Sequence, residues 1–193
     1  MAYKLDPNAI AEACQDVLDL PLESGERLSA AVDRVAGLYP ELIDPSRERW
    51  IFTKAGGIVG KINFLYASMN EYLLLFGAPV ATYGFSGRYN RVAISKFILA
   101  GRYTTYNPET AQITPGVFGP GELVALPKGE VRNMEIASGS WHFEYGRGPV
   151  ITAMPFGTVD LLVSSLEVRP IVQTTVDYAH FITKGVRRRF GKR

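Results

Sequence analysis

A chain of 193 residues with 47% hydrophobic and 21% charged residues has the composition of a single globular domain with a substantial core, which excludes a disordered chain. Its formal net charge of +2 is too small to imply nucleic acid as a partner. Cys14 is the only cysteine, and His142 and His180 are the only histidines. An intrachain disulfide is thereby excluded, a zinc or iron centre is disfavoured, and no metal or other cofactor is expected.

Acidic residues are scattered through Met1 to Leu22, unlike a basic-then-apolar signal peptide, and no run approaches the ~20 apolar residues that span a bilayer. These features predict a cytoplasmic or peripherally membrane-bound protein. Residues 6–20 read as a helix, with Asp6 as N-cap, Pro7 at the first helical position and Ile10, Cys14, Val17 and Leu18 on one face. Ser24 opens a second helix carrying Leu28, Ala31, Val32, Val35 and Leu38, which Pro40 closes. A loop around Asp44-Pro45-Ser46 leads to a short strand at Trp50–Thr53.

Gly56-Gly57-Ile58-Val59-Gly60 reads as a turn before the apolar segment Lys61–Phe76. The first part of that segment is predicted as helix and Glu71–Phe76 as strand, where Tyr72, Leu74 and Phe76 share a face. From Ala78 to Gly148 short β-branched and aromatic runs alternate with glycine and proline. Strands are predicted at Val92–Leu99, Gly101–Tyr106, Leu123–Leu126, Val131–Ala137 and Trp141–Tyr145, with turns at Pro120-Gly121 and Pro127-Lys128-Gly129. Short strands so spaced predict a small barrel or jelly roll, cupin-like in outline but without a histidine cluster.

Within the last of these strands, Trp141-His142-Phe143-Glu144-Tyr145 sets one carboxylate among aromatic residues. Such a carboxylate is costly to ionise unless something pairs with it, which predicts a raised proton affinity for Glu144. After Pro149 two amphipathic helices are predicted, Phe156–Glu167 and Pro170–Arg188. Their apolar surface either packs on the barrel or lies in a membrane interface. The basic terminus from Arg187 to Arg193 is either a solvated tail or a contact for anionic lipid.

Several segments then read together: Ala55-Gly56-Gly57, Glu71-Tyr72 with Leu74-Leu75-Phe76-Gly77, Ser86-Gly87-Arg88-Tyr89, Pro120-Gly121-Glu122 and Glu144-Tyr145-Gly146-Arg147-Gly148. In order and spacing they resemble the family of fungal C-8 sterol isomerases and the animal sigma-1 receptor, over nearly the whole chain. The resemblance implies an α+β protein with a cupin-like β-barrel (residues 49–148), flanked by an N-terminal helical part (1–48) and two C-terminal amphipathic helices (149–193). It implies a sterol-like or amphiphilic ligand in the barrel, homotrimeric assembly and peripheral membrane contact through the C-terminal helices.

Position by position, Glu144 matches the family's essential carboxylate, and Tyr72 matches the tyrosine that orients it. Ile62, Phe64, Phe76, Tyr89, Ile94, Met134, Ile136, Met154 and Tyr178 fall at or beside pocket positions, where plain core packing is the competing reading. Ile58 and Ile136 stand where the receptor has tryptophans. The family's second carboxylate is absent: a one-residue insertion near Asn90-Arg91 puts Lys96 at its position, and without the insertion Ser95 falls there.

Shifting a ring double bond from position 8 to 7 requires one proton delivered and another removed, work suited to a protonated and an ionised acid side by side. Lys96 beside Glu144 instead holds the carboxylate ionised, and an ammonium is a poor acid for an alkene. Glu144, Lys96 and Tyr72 are the candidate catalytic residues if the chain is an isomerase. The same group serves as a polar anchor or a structural ion pair if it is a non-catalytic lipid or amine binder.

Overall fold

The computed structural model describes residues 3–111 and 114–190. It shows the expected α+β architecture: two N-terminal helices, two antiparallel sheets and two C-terminal helices. Helix α1 (Pro7–Leu18) starts on the predicted cap, the Asp6 carboxylate accepting from the Asn8 backbone N–H at 2.9 Å. Helix α2 spans Ser24–Leu38.

The large sheet contains β1 (Ile51–Ala55), β2 (Ile58–Ala67), β3 (Glu71–Ala78), β5 (Ala93–Ala100), β8 (Leu123–Leu126) and β10 (Ser140–Arg147), in the order β1-β2-β3-β10-β5-β8. The small sheet contains β4 (Thr82–Phe85), β6 (Tyr103–Tyr106), β7 (Gly116–Phe118) and β9 (Asn133–Ile136), in the order β4-β9-β6-β7. Neither β4 nor β7 is among the predicted strands.

The segment Lys61–Ala67, predicted as helix, is instead part of β2. Gly56 and Gly57 form the two-residue turn joining it to β1, with φ of 62° and 85°. Positive φ at both central residues is the requirement of the type I′ hairpin turn, which glycine meets without strain. Gly60 lies within β2 rather than in the turn.

Strand parity distributes the core. On β3, Tyr72, Leu74 and Phe76 face the barrel interior, while Leu73 and Leu75 join α1 and α2 in a second apolar cluster. On β10, Phe143 and Tyr145 face those helices, with Trp141 packed against the same cluster. The large sheet is thus apolar on both faces, covered by helices on one side and closed by the small sheet on the other.

After a 3₁₀ turn at Val150–Thr152, α3 (Met154–Ser165) and α4 (Val168–Phe190) complete the chain, both beginning slightly before the predicted starts. Helix α4 is fixed to the barrel by Asp177, which is 1% exposed and accepts from Arg47 and Arg49 at 2.8 Å each. Phe181, one turn further on, is buried in the barrel core beneath the Arg47 guanidinium. No helix among the described residues is long and apolar enough to cross a membrane.

Candidate functional site

Glu144 lies on β10 between its two neighbours in the large sheet, directly opposite Leu74 of β3 and Lys96 of β5. Residues directly opposite on antiparallel strands project to the same face, so Lys96 reaches Glu144 across the ladder. Its ammonium donates to Glu144 Oε2, and both side chains are largely buried, 11% and 16% exposed. Lys96 is therefore the neighbour of the carboxylate, as the one-residue insertion implies, and Ser95 is not.

Tyr72 completes the other side of the carboxylate, its hydroxyl donating to Glu144 Oε1 at 2.7 Å. Burial and the adjacent carboxylate raise the Tyr72 pKa well above the usual phenol value, so it remains a donor. The ring fits because residue 146 is glycine: a β-carbon there would lie 2.0 Å from Tyr72 Cε1.

The raised proton affinity expected of Glu144 is overturned. Burial pushes its pKa up, but the Lys96 ammonium and His142 outweigh burial and hold it well below the ordinary carboxylate range. The aromatic residues beside it in sequence do not surround it in space. Trp141, Phe143 and Tyr145 have the opposite strand parity and belong with the helices.

His142, two residues before Glu144 and on the same face, is the functional neighbour that the sequence reading passes over. It is 1% exposed, stacks on Phe76 with ring centroids 4.8 Å apart, and places Nδ1 2.5 Å from the Tyr103 hydroxyl. Its Nε2 lies 3.5 Å from Lys96 Nζ and 3.7 Å from Glu144 Oε2. Burial and then the Lys96 charge push its pKa down to about 4, so the imidazole is neutral. The i−2 spacing from Glu144 in a predicted strand is the signal that could have found it.

Among these groups, Glu144, Lys96 and His142 line a cavity of about 140 Å³ inside the barrel, while Tyr72 and Tyr103 stand behind them. Of the predicted ligand contacts, Ile62, Phe76, Tyr89, Ile94, Met134 and Ile136 line it, together with Lys96 and Glu144. Phe64, Met154 and Tyr178 do not. Phe64 is buried in the adjoining core and Tyr178 packs against it, while Met154 begins α3. Ile58, Leu74, Phe85, Ser86 and Leu126 also contribute to the wall. The wall is thus mostly apolar side chains, with Thr53, Ser86, His142 and the Lys96–Glu144 pair as its polar members, arranged to seat a hydrophobic body and meet a polar group on it at the charged pair. Among the described residues no three His, Cys, Asp or Glu side chains converge as a metal site.

The chain matches the family described as "ERG2 and Sigma1 receptor like protein" over residues 1–189. Sigma non-opioid intracellular receptor 1 of Gallus gallus is 31% identical over 185 residues, which cover 95% of this chain and 79% of the receptor. C-8 sterol isomerase erg2 of Aspergillus fumigatus is 35% identical over 145 residues, 74% of this chain and 59% of that protein. Among solved structures, KdgF from Halomonas sp. is similar with a TM-score of 0.43 at 9% identity, covering 55% of this chain and 92% of its own. The Cnp3 cupin domain of Schizosaccharomyces pombe is similar with a TM-score of 0.39 at 10% identity, covering 48% of this chain and 63% of its own.

Proposed function

Since this chain belongs to the ERG2 and Sigma1 receptor like family, we propose that it is a non-catalytic ligand-binding member, holding a sterol-like or other hydrophobic molecule in the barrel with Glu144 as the polar centre. One observation carries this reading: the partner of Glu144 is the Lys96 ammonium rather than a second acid. Migration of an unactivated ring double bond needs a strong acid beside an ionised base. Glu144 is held ionised, and an ammonium is a poor acid for an unactivated alkene.

A mostly apolar wall with a few placed polar groups is the usual composition of a small-molecule site. At about 140 Å³ the cavity is below the about 300 Å³ at the lower end of such sites, so a compact ligand fits it as it stands and a full sterol requires it to open. The surfaces of α3 and α4 support a peripheral membrane position. Val159, Leu162 and Val163 on α3, Leu166 at its C-cap, and Val168, Val172 and Val176 on α4 are all exposed, those within each helix at helical spacing. The homotrimer implied by the family resemblance belongs to the same reading and is checked by light scattering of the purified protein.

The decisive experiment is a paired assay on the purified protein. A delta-8 sterol incubated at high protein concentration yields no delta-7 product, while mass spectrometry of a native extract finds a hydrophobic small molecule that Glu144→Gln fails to retain. Product that disappears in Glu144→Gln would make the chain an isomerase.

A further inference from the structure

The chemistry of the charged pair restricts what the cavity accepts. An ammonium carries three N–H donors and no acceptor. Lys96 gives one of them to Glu144 Oε2 and directs at most one more, at 3.5 Å, to His142 Nε2. At least one donor of a residue only 9% exposed has no further partner among the described residues, and Lys96 lines the cavity.

His142 reinforces the same polarity. Where Nε2 accepts from Lys96, at 3.5 Å, the imidazole proton sits on Nδ1 facing Tyr103; where Nε2 carries the proton towards Glu144 Oε2, at 3.7 Å, Lys96 keeps two spare donors instead of one. Around the charged pair the ligand therefore meets a surplus donor. The carboxylate that would otherwise accept a ligand's amine already has a cation against it.

A cationic ligand would have to displace Lys96 and leave two ammonium groups in one small, dry cavity. An anionic ligand would add a second carboxylate to a site with a single ammonium. A neutral oxygen suffers neither cost: it accepts the spare N–H, and where it is a hydroxyl it can also donate to Glu144.

The geometry points to a barrel site selective for compact, neutral, oxygen-bearing hydrophobic molecules, ketones or alcohols, and closed to amines by its own lysine. This selectivity rests on the ligand-binding reading above and makes Lys96 its determinant.

A matched set of probes tests it by calorimetry on the purified full chain: acetophenone, 1-phenylethylamine, phenylacetate and ethylbenzene, which share one ring and a short side chain. Acetophenone is expected to bind about tenfold or more tightly than ethylbenzene, the increment of a hydrogen bond to a charged donor, and the amine and the carboxylate more weakly than either. In Lys96→Met the ketone loses its advantage and the amine, now facing an unpaired Glu144, becomes the tightest of the four.

Because that variant can fail to fold, the carbonyl stretch of acetophenone bound to the unaltered protein is read by infrared difference spectroscopy. A shift to lower frequency than in hydrocarbon solvent is expected from the ammonium. An amine that binds the unaltered protein as tightly as the ketone, or a bound carbonyl at its hydrocarbon frequency, overturns the selectivity while leaving a ligand pocket in place. Failure of all four probes to bind, ethylbenzene included, overturns the pocket itself and the selectivity with it.

Discussion

The ring of Tyr72 occupies the space that a β-carbon on residue 146 would need. Gly146 is therefore the reason that the Tyr72 hydroxyl can reach Glu144, although it touches no ligand-facing polar atom itself. Gly146→Ala puts a carbon 2.0 Å from Tyr72 Cε1 and should destabilise the protein by about 1–3 kcal/mol, the usual cost of overpacking. Urea denaturation of Gly146→Ala and of Gly146→Ala with Tyr72→Leu measures this. The smaller side chain in the double variant should recover most of the loss.

The Lys96–Glu144 pair should show strong coupling. Lys96→Met or Glu144→Leu alone leaves a buried charge without its partner and should cost about 3–5 kcal/mol. Together the two changes remove both charges and should cost much less than the sum of the singles. Additive losses in a double-mutant cycle would show that the two side chains do not stabilise each other in solution.

His142 predicts a specific pH dependence. Its pKa is lowered from 6.5 to about 4, so the unfolded chain binds a proton over that interval while the native protein does not. Its contribution is thus fully favourable above pH 6.5 and is lost progressively as the pH falls towards 4, by about 3 kcal/mol in all. Glu144, also lowered, adds its own loss only below its ordinary value of 4.5. Thermal melts between pH 7 and 4 should fall less steeply for His142→Gln than for the unaltered protein, and equal slopes would assign the effect to other groups.

Asp177 should decide whether α4 stays on the barrel. It is buried between Arg47 and Arg49, and Asp177→Ala leaves two guanidinium groups facing an apolar side chain. Hydrogen exchange across residues 168–190 should accelerate in this variant, while exchange in β3 and β10 changes little. Uniform acceleration throughout the chain would mean that the helix and barrel unfold together.

The exposed apolar stripe of α3 and α4 predicts binding to lipid vesicles. Flotation with anionic vesicles should carry the full chain upward, Val163→Lys with Leu166→Lys should reduce the floated fraction severalfold, and removal of residues 187–193 should weaken it most at low salt. Absence of flotation with the full chain would remove the membrane assignment.

Where one face of an element is buried and the other wet, the sequence shows it. The N-terminal helices, with their Asp6 cap and apolar faces, emerge close to their predicted limits. Part of β2 reads as helix because every residue from Ile62 to Ala67 is buried, which erases alternation, and an irregularity between Phe64 and Tyr66 breaks the period further. Strands β4 (Thr82–Phe85) and β7 (Gly116–Phe118) are short and each carries a glycine, which reads as a turn, whereas the equally short Leu123–Leu126 of β8 has none.

The site was half legible for the same reason. Tyr72 and Glu144 were found through their motifs, and Lys96 through its place in the motif alignment. Their meeting depends on β5 and β10 being neighbours, a long-range pairing that no local pattern encodes. Aromatic residues adjacent to Glu144 in sequence suggested a dry carboxylate with a raised pKa, but strand parity sends them to the other face. His142 enters the sequence analysis only as one of two histidines too few for a metal cluster, whereas its parity with Glu144 is the relevant signal. Asp177 is the only acid on the basic helix α4, and that singularity is its sequence signal.

Strand β10 lies between β3 and β5 although it follows both in the chain. On a ribosome, the segments of β3 and β5 emerge before the strand that separates them. Until residues 140–147 are made, the sheet has a vacant slot with two apolar strand edges open to other chains, the arrangement most prone to intermolecular pairing. The polar pair at the centre of the barrel can form only when that slot is filled. Insertion of the last strand therefore completes the sheet and creates the binding site in one event, and a nascent chain stalled before Ser140 should bind chaperones strongly and hydrophobic probes of the pocket not at all.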